Sequence, residues 1–138
     1  DPNSYRHYMN HHLFRHVNVD LRNTHLPNGM AGNLDEECRH YEATIKRFNG
    51  IDLQLLGIGK AGHIGFNEPG SPRTSRTRLV ELEAKTIADA AKTFGGEQQV
   101  PRRAITMGIG TILDARRCLL LAFGPAKVRA VEDMLQLL

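Results

Sequence analysis

The chain is 138 residues long, enough for one domain, and its 41% hydrophobic and 24% charged residues are the ordinary balance of a globular protein in water. No apolar run approaches the about 18 residues that a membrane-spanning helix needs, and Asp1 opens into polar residues rather than a signal peptide, so no membrane partner is expected. The formal charge of +3 comes from scattered Lys and Arg with only 6% aromatics, which argues against nucleic acid as a partner.

Residues 4–17 read as a helix, with Ser4 as cap and Tyr5, Met9, Leu13 and Val17 at helical spacing. His7 with His11, and His12 with His16, are i,i+4 pairs of the kind that chelate metals. No cysteine or carboxylate converges on them in the sequence, so they read as histidines on a polar face and no metal is expected. Residues 18–32 are loop-like, with a short strand near 21–26. Asn33-Leu34-Asp35-Glu36 then opens a helix with acids in its first turn. Its apolar face is Leu34, Cys38, Tyr41, Ile45 and Phe48, and Asn49-Gly50 closes it.

The apolar run 51–56 reads as a strand of a parallel sheet, covered on both faces. A glycine-rich loop over 57–71 follows. Arg78–Leu82 alternates like a strand, and Ala84–Phe94 reads as a helix ended by Gly95-Gly96. Pro101 disfavours a central strand at its own position, and 104–111 reads as strand or loop opening onto a helix near 111–115. Residues 117–123 form a second buried strand. Pro125 suits the start of a helix striped by Val128, Val131, Leu135 and Leu138. Cys38 and Cys118 lack metal-ligand spacing and are expected as two buried free thiols in a reducing, cytoplasmic compartment.

The chemistry concentrates in the loop. Its glycines at 57, 59, 62 and 65 permit positive φ and close approach of a ligand, and into it are set His63, Asn67 and Glu68. Ligands of open α/β sheets bind at the carboxyl ends of strands, where this loop lies. Gly-rich turns after strands are also common without function, so spacing alone leaves a structural His–Glu pair open. Arg73, Arg76 and Arg78 follow, a cluster that suits a phosphorylated small molecule or forms a solvated basic face.

The literal string Gly57-Ile58-Gly59-Lys60-Ala61-Gly62-His63-Ile64-Gly65-Phe66-Asn67-Glu68-Pro69-Gly70-Ser71 resembles the signature of glucosamine-6-phosphate deaminases. The segment Thr106-Met107-Gly108-Ile109-Gly110-Thr111 is similar to the same family's TxGxGT stretch. The related 6-phosphogluconolactonases share the Gly-His turn but lack the Phe66-Asn67-Glu68-Pro69 continuation. The resemblance implies conversion of glucosamine 6-phosphate and water to fructose 6-phosphate and ammonia, in amino-sugar catabolism, with no cofactor. It implies an α/β, Rossmann-like parallel sheet with helices on both faces. Residues 1–138 would be the central part of one such domain, incomplete at both ends. The first strands, a phosphate loop and a proton-transferring aspartate are then expected upstream, and the last strand and C-terminal helices downstream.

Carried over residue by residue, the resemblance makes His63 the ring-opening group and Glu68 its relay carboxylate. Histidine suits that task because its ordinary proton affinity lies near neutral pH. Gly59, Gly62, Asn67, Lys92 and Lys127 become substrate contacts; Lys127 corresponds to a phosphate-binding lysine and Lys92 lies near a lid arginine. Ser71 and Arg78 match positions that bind an allosteric sugar phosphate in regulated members, although a third cation of that site corresponds to Val80. Ala61 stands where better-known members carry an aspartate two residues before the histidine. A sugar phosphate is therefore the expected partner, and a homo-oligomer, hexameric in similar enzymes, the expected assembly. The rival expectations are a 6-phosphogluconolactonase-like hydrolase and an inactive phosphosugar-binding regulatory module.

Overall fold

The computed structural model describes residues 2–60 and 62–136, which places Ala61 and Leu138 outside the described residues. Ser4 caps the first helix, α1 (Tyr5–Met9), by accepting the His7 N–H at 3.2 Å. The helix loosens into a π-helical turn at Asn10–Phe14 and ends there, three residues short of the expected boundary. No apolar face of this segment is buried. The His7 and His11 rings stack 6.2 Å apart. Among the described residues no group of three or more His, Cys, Asp or Glu is arranged to hold a metal ion. The short strand expected near 21–26 is instead a 3-10 turn, Leu21–Asn23, because the Asp20 carboxylate accepts the Arg22 N–H and holds the backbone in a turn.

Helix α2 (Leu34–Arg47) follows the sequence pattern closely. The Asn33 side chain accepts the Glu36 N–H, acids fill the first turn, and Asn49 (φ 62°) and Gly50 (φ 89°) take the left-handed conformation that stops the helix. Its buried face centres on Cys38.

Strand β1 (Gln54–Gly57) lies parallel to β4 (Cys118–Leu121), with Leu55 opposite Leu119 and Leu56 opposite Leu120. Facing residues in register point to the same side, so Leu56 and Leu120 turn inward together. Leu55 and Leu119 turn outward and are 58% and 46% exposed. Burial on both faces, expected of these strands, is thus corrected: within this chain the pair is covered on one face only. Cys118, at the start of β4, is exposed rather than buried, while Cys38 is buried as expected.

A second, antiparallel pair joins β2 (Arg78–Glu81) to β3 (Arg103–Thr106). The sequence did not disclose this pairing. Between the two strands runs α3 (Ala84–Phe94), stopped by Gly95 at φ 80°. After β3 the chain turns into α4 (Ile109–Leu113), whose first amides close on the loop before β2. The Gly110 N–H donates to the Ser75 carbonyl at 2.9 Å and the Ile109 N–H to Ser75 Oγ at 3.0 Å. A side chain on Gly108 would start 2.2 Å from the Ser75 carbonyl oxygen, so only glycine fits there. The last helix, α5 (Val128–Gln136), follows a 3-10 turn at Pro125–Lys127. Its buried residue is Ala130, while Val128 and Leu135 of the expected stripe are more than half exposed. The frame is α/β: a parallel pair, an antiparallel pair and helices in the connections.

Candidate active site

The parallel register puts the loops after β1 and β4 at the same end of the pair, and the candidate site is built at that end. Beyond Gly57, the buried Ile58 anchors the chain before it doubles back. The Gly59 N–H donates to the His63 carbonyl at 2.8 Å, and the Gly62 N–H to the Gly59 carbonyl at 3.1 Å. This tight turn needs positive φ at Gly62 (83°). A Cβ on Gly59 would sit 2.2 Å from His63 Nε2, so the imidazole lies directly over that glycine. The geometry gives both glycines a shaping role: one bends the turn, the other clears room for the ring.

His63 Nδ1 lies 3.1 Å from Glu68 Oε2, with the two side chains 23% and 14% exposed. Nδ1 is buried and has no aligned hydrogen-bond partner among the described residues, so the pair is close without being a saturated bond. Two bare acceptors at that distance repel, so the carboxylate favours a proton on Nδ1 and leaves Nε2 as the basic nitrogen. The other carboxylate oxygen, Oε1, accepts the Thr86 hydroxyl at 2.8 Å from the first turn of α3. The sequence motif did not reveal Thr86, which lies 18 residues beyond Glu68 in the chain.

Asn67, beside Glu68, is 5% exposed and fully engaged. Its amide donates to the carbonyls of Ile64 (2.9 Å) and Met107 (2.8 Å), and its Oδ1 accepts from Arg78 (2.8 Å). The second terminal nitrogen of Arg78 donates to Ser71 Oγ at 3.2 Å. The Phe66 N–H donates to Thr106 Oγ1 at 3.1 Å. Asn67 therefore staples the loop to the end of β3, and Ser71 and Arg78 complete the same network. Among the described residues, no hydrogen bond or ion pair joins Lys92 or Lys127, the cations expected at the substrate, to this network. Lys92 is exposed in the last turn of α3, about 9 Å along the helix from Thr86 at about 1.5 Å per residue. Lys127 is half-buried, in the turn after β4 at the same end of the sheet as the His63 loop.

A second polar cluster lies away from His63, and the sequence reading missed it. Glu42 of α2 accepts at Oε1 from the Thr77 N–H (2.8 Å), the Thr77 hydroxyl (2.5 Å) and the Thr111 hydroxyl (2.6 Å). Arg76 bridges Glu42 Oε2 at 3.2 Å and Asp114 at 2.7 Å. Burial pushes the Glu42 carboxyl up, but the donated bonds of Thr111 and Thr77 and the Arg76 charge outweigh it and hold the group below its ordinary value. The available signal was position: Glu42 is four residues after the buried Cys38, beside the apolar stripe rather than opposite it. Next to this cluster is a cleft of about 660 Å³ lined by Lys46, Gly50, Arg76 and Asp114 among others. It sits where β1 and β4 begin, at the far end of the strands from His63.

An imidazole lying 3.1 Å from a carboxylate, at the carboxyl end of a parallel strand in an α/β frame, is an arrangement chemically able to pass protons. The model of glucosamine-6-phosphate isomerases and 6-phosphogluconolactonases matches residues 1–137, and the chain belongs to that family. A glucosamine-6-phosphate deaminase of Shouchella clausii (strain KSM-K16) is 55% identical over 134 residues, 97% of this chain and 54% of the relative. One from Geobacillus sp. (strain WCH70) is 54% identical over 135 residues, 98% of this chain and again 54% of the relative. A solved structure described as a monomeric glucosamine-6-phosphate deaminase of the NagB superfamily superimposes with a TM-score of 0.96 at 46% identity, covering 99% of this chain and 56% of its own. The chain thus spans about half the length of the relatives it matches.

Proposed function

We propose that the protein is a glucosamine-6-phosphate deaminase, converting glucosamine 6-phosphate and water to fructose 6-phosphate and ammonia. The observation that carries the reading is the His63–Glu68 pair, 3.1 Å apart within the Gly-His…Phe-Asn-Glu-Pro loop. The named relatives, about half identical to this chain, support it. With Glu68 holding the Nδ1 proton, His63 Nε2 takes the proton of the sugar's C1 hydroxyl and returns one to the ring oxygen, opening the ring. A proton then moves from C2 to C1, and water adds at C2 as ammonia leaves.

On this reading Lys127, in the turn after β4, meets the phosphate as a point charge. Lys92, at the end of α3, reaches the substrate when that helix closes. Gly59, Gly62 and Asn67 act by shaping the loop that receives the sugar. Ser71 and Arg78 are the candidate contacts for a regulatory sugar phosphate, which would exchange their present bonds for its own. The reading places the enzyme in the cytoplasm, in amino-sugar catabolism. It also expects a homo-oligomer, against which stands the monomeric description of the solved relative; sedimentation of the purified protein decides between them.

The test is an assay of the full-length protein with glucosamine 6-phosphate, following ammonia and fructose 6-phosphate together. Acid release from 6-phosphogluconolactone without ammonia would make it a lactonase. Sugar-phosphate binding without either product would make it a regulatory module.

A further inference from the structure

Thr86 has no place in the chemistry derived so far, yet it is the residue whose hydroxyl meets the relay carboxylate. A threonine inside a helix can return its one hydroxyl proton to a carbonyl three or four residues back, while in the first turn, where Thr86 lies, the hydroxyl is free to reach outside the helix. Thr86 donates across to Glu68 Oε1 at 2.8 Å. The opposite oxygen, Oε2, is the one facing His63 Nδ1. A glutamate side chain has three rotatable bonds, and a relay works only in the rotamer that keeps one oxygen on the imidazole. Among the described residues, Glu68 is the carboxylate paired with His63, and the Thr86 hydroxyl donates to its other oxygen.

We propose that Thr86 is a positioning residue: its hydroxyl locks the Glu68 rotamer and through it sets which nitrogen of His63 carries the proton. The bond joins the loop to the first turn of α3, so the tautomer of the catalytic imidazole depends on where that helix sits. Thr86 itself touches no reacting atom.

The activity arm of the test rests on the deaminase reading; the spectroscopic arm does not. Nitrogen NMR of the ¹⁵N-histidine-labelled full-length protein, at about pH 8.5 where an ordinary imidazole is neutral, reports the His63 tautomer directly. The expected result is Nδ1–H in the unmodified protein, a shift toward the Nε2–H form in Thr86→Val, and recovery in Thr86→Ser. Alongside it, kcat for ammonia release falls about tenfold in Thr86→Val with KM within about twofold, the signature of a lost interaction that orients rather than binds. Thr86→Ala serves if the valine variant does not fold, as judged by its melting curve. An unchanged tautomer in the variants overturns the proposal, whether or not kcat falls. If the unmodified protein releases no ammonia, the deaminase reading fails, and the tautomer shift alone decides the role of Thr86.

Discussion

Glu42 and Glu68 are both carboxylates withdrawn from water on the same small frame, and they are held in opposite ways. One oxygen of Glu42 collects three donated hydrogen bonds while the other faces Arg76. Glu68 has one hydroxyl on one oxygen and an unaligned imidazole on the other. A saturated carboxylate has nothing left to exchange, so it fixes three segments of chain in place. A carboxylate left partly unsatisfied beside a titratable ring can respond when a substrate proton arrives. On the proposed function, the contrast separates a group that holds the fold from a group that takes part in the chemistry, and burial alone does not distinguish the two.

The largest expected effect is on the working side. His63→Ala lowers kcat by about 10²–10⁴-fold, the usual contribution of one proton carrier, while the melting temperature barely moves. Undiminished ammonia release from this variant removes His63 from the mechanism. On the holding side, Glu42→Ala costs about 2–3 kcal/mol of stability, because it strips a charged acceptor from the Thr77 and Thr111 hydroxyls and from Arg76. Denaturant unfolding reads this directly, and at a temperature where the variant stays folded its kcat remains near the parent's. A large loss of kcat without loss of stability would dissolve the distinction between the two residues.

Gly59→Ala sharpens the comparison from a third direction, since its new methyl meets the imidazole and neither carboxylate. The ring must move, and a fall in kcat of about tenfold with little change in stability is the expected readout. The smallest effect is in the acid dependence of folding. Glu42 is held below its ordinary value in the folded protein, so its contribution is complete above the unfolded value and is lost as pH falls through the folded one. Glu42→Gln should therefore flatten the acid limb of the stability curve, and an unaltered limb would show that other carboxylates set it.

Much of this was legible in the chain. The stops of α2 at Asn49-Gly50 and of α3 at Gly95 are local events, decided by left-handed turn residues, and they fall where the sequence puts them. The loop with His63 and Glu68 was legible because glycines and functional groups are packed into one short stretch. The β2–β3 pairing was not, because it joins strands separated by a helix and is settled by contacts distant in sequence. Leucine runs disclosed β1 and β4 but not their exposure, since a strand open on one face and a strand covered on both can read alike when both faces are apolar. Glu42 reads as one more helical surface charge, and Thr86 as one more helical threonine, until the neighbours that claim them are in place.

Gly108 carries a consequence for genetics. Its missing side chain is what lets the start of α4 press against the Ser75 and Arg76 carbonyls, the nearer of them 2.2 Å from where a methyl would begin. On the proposed deaminase function, every substitution at this codon should score as harshly as loss of His63 in a saturation screen for growth on an amino sugar. The position would look like an active-site residue on a tolerance map although the constraint on it is close packing. Pairing that map with protein abundance would tell the two apart, because a Gly108 allele loses the protein itself, whereas a His63 allele accumulates it to normal levels and leaves it idle.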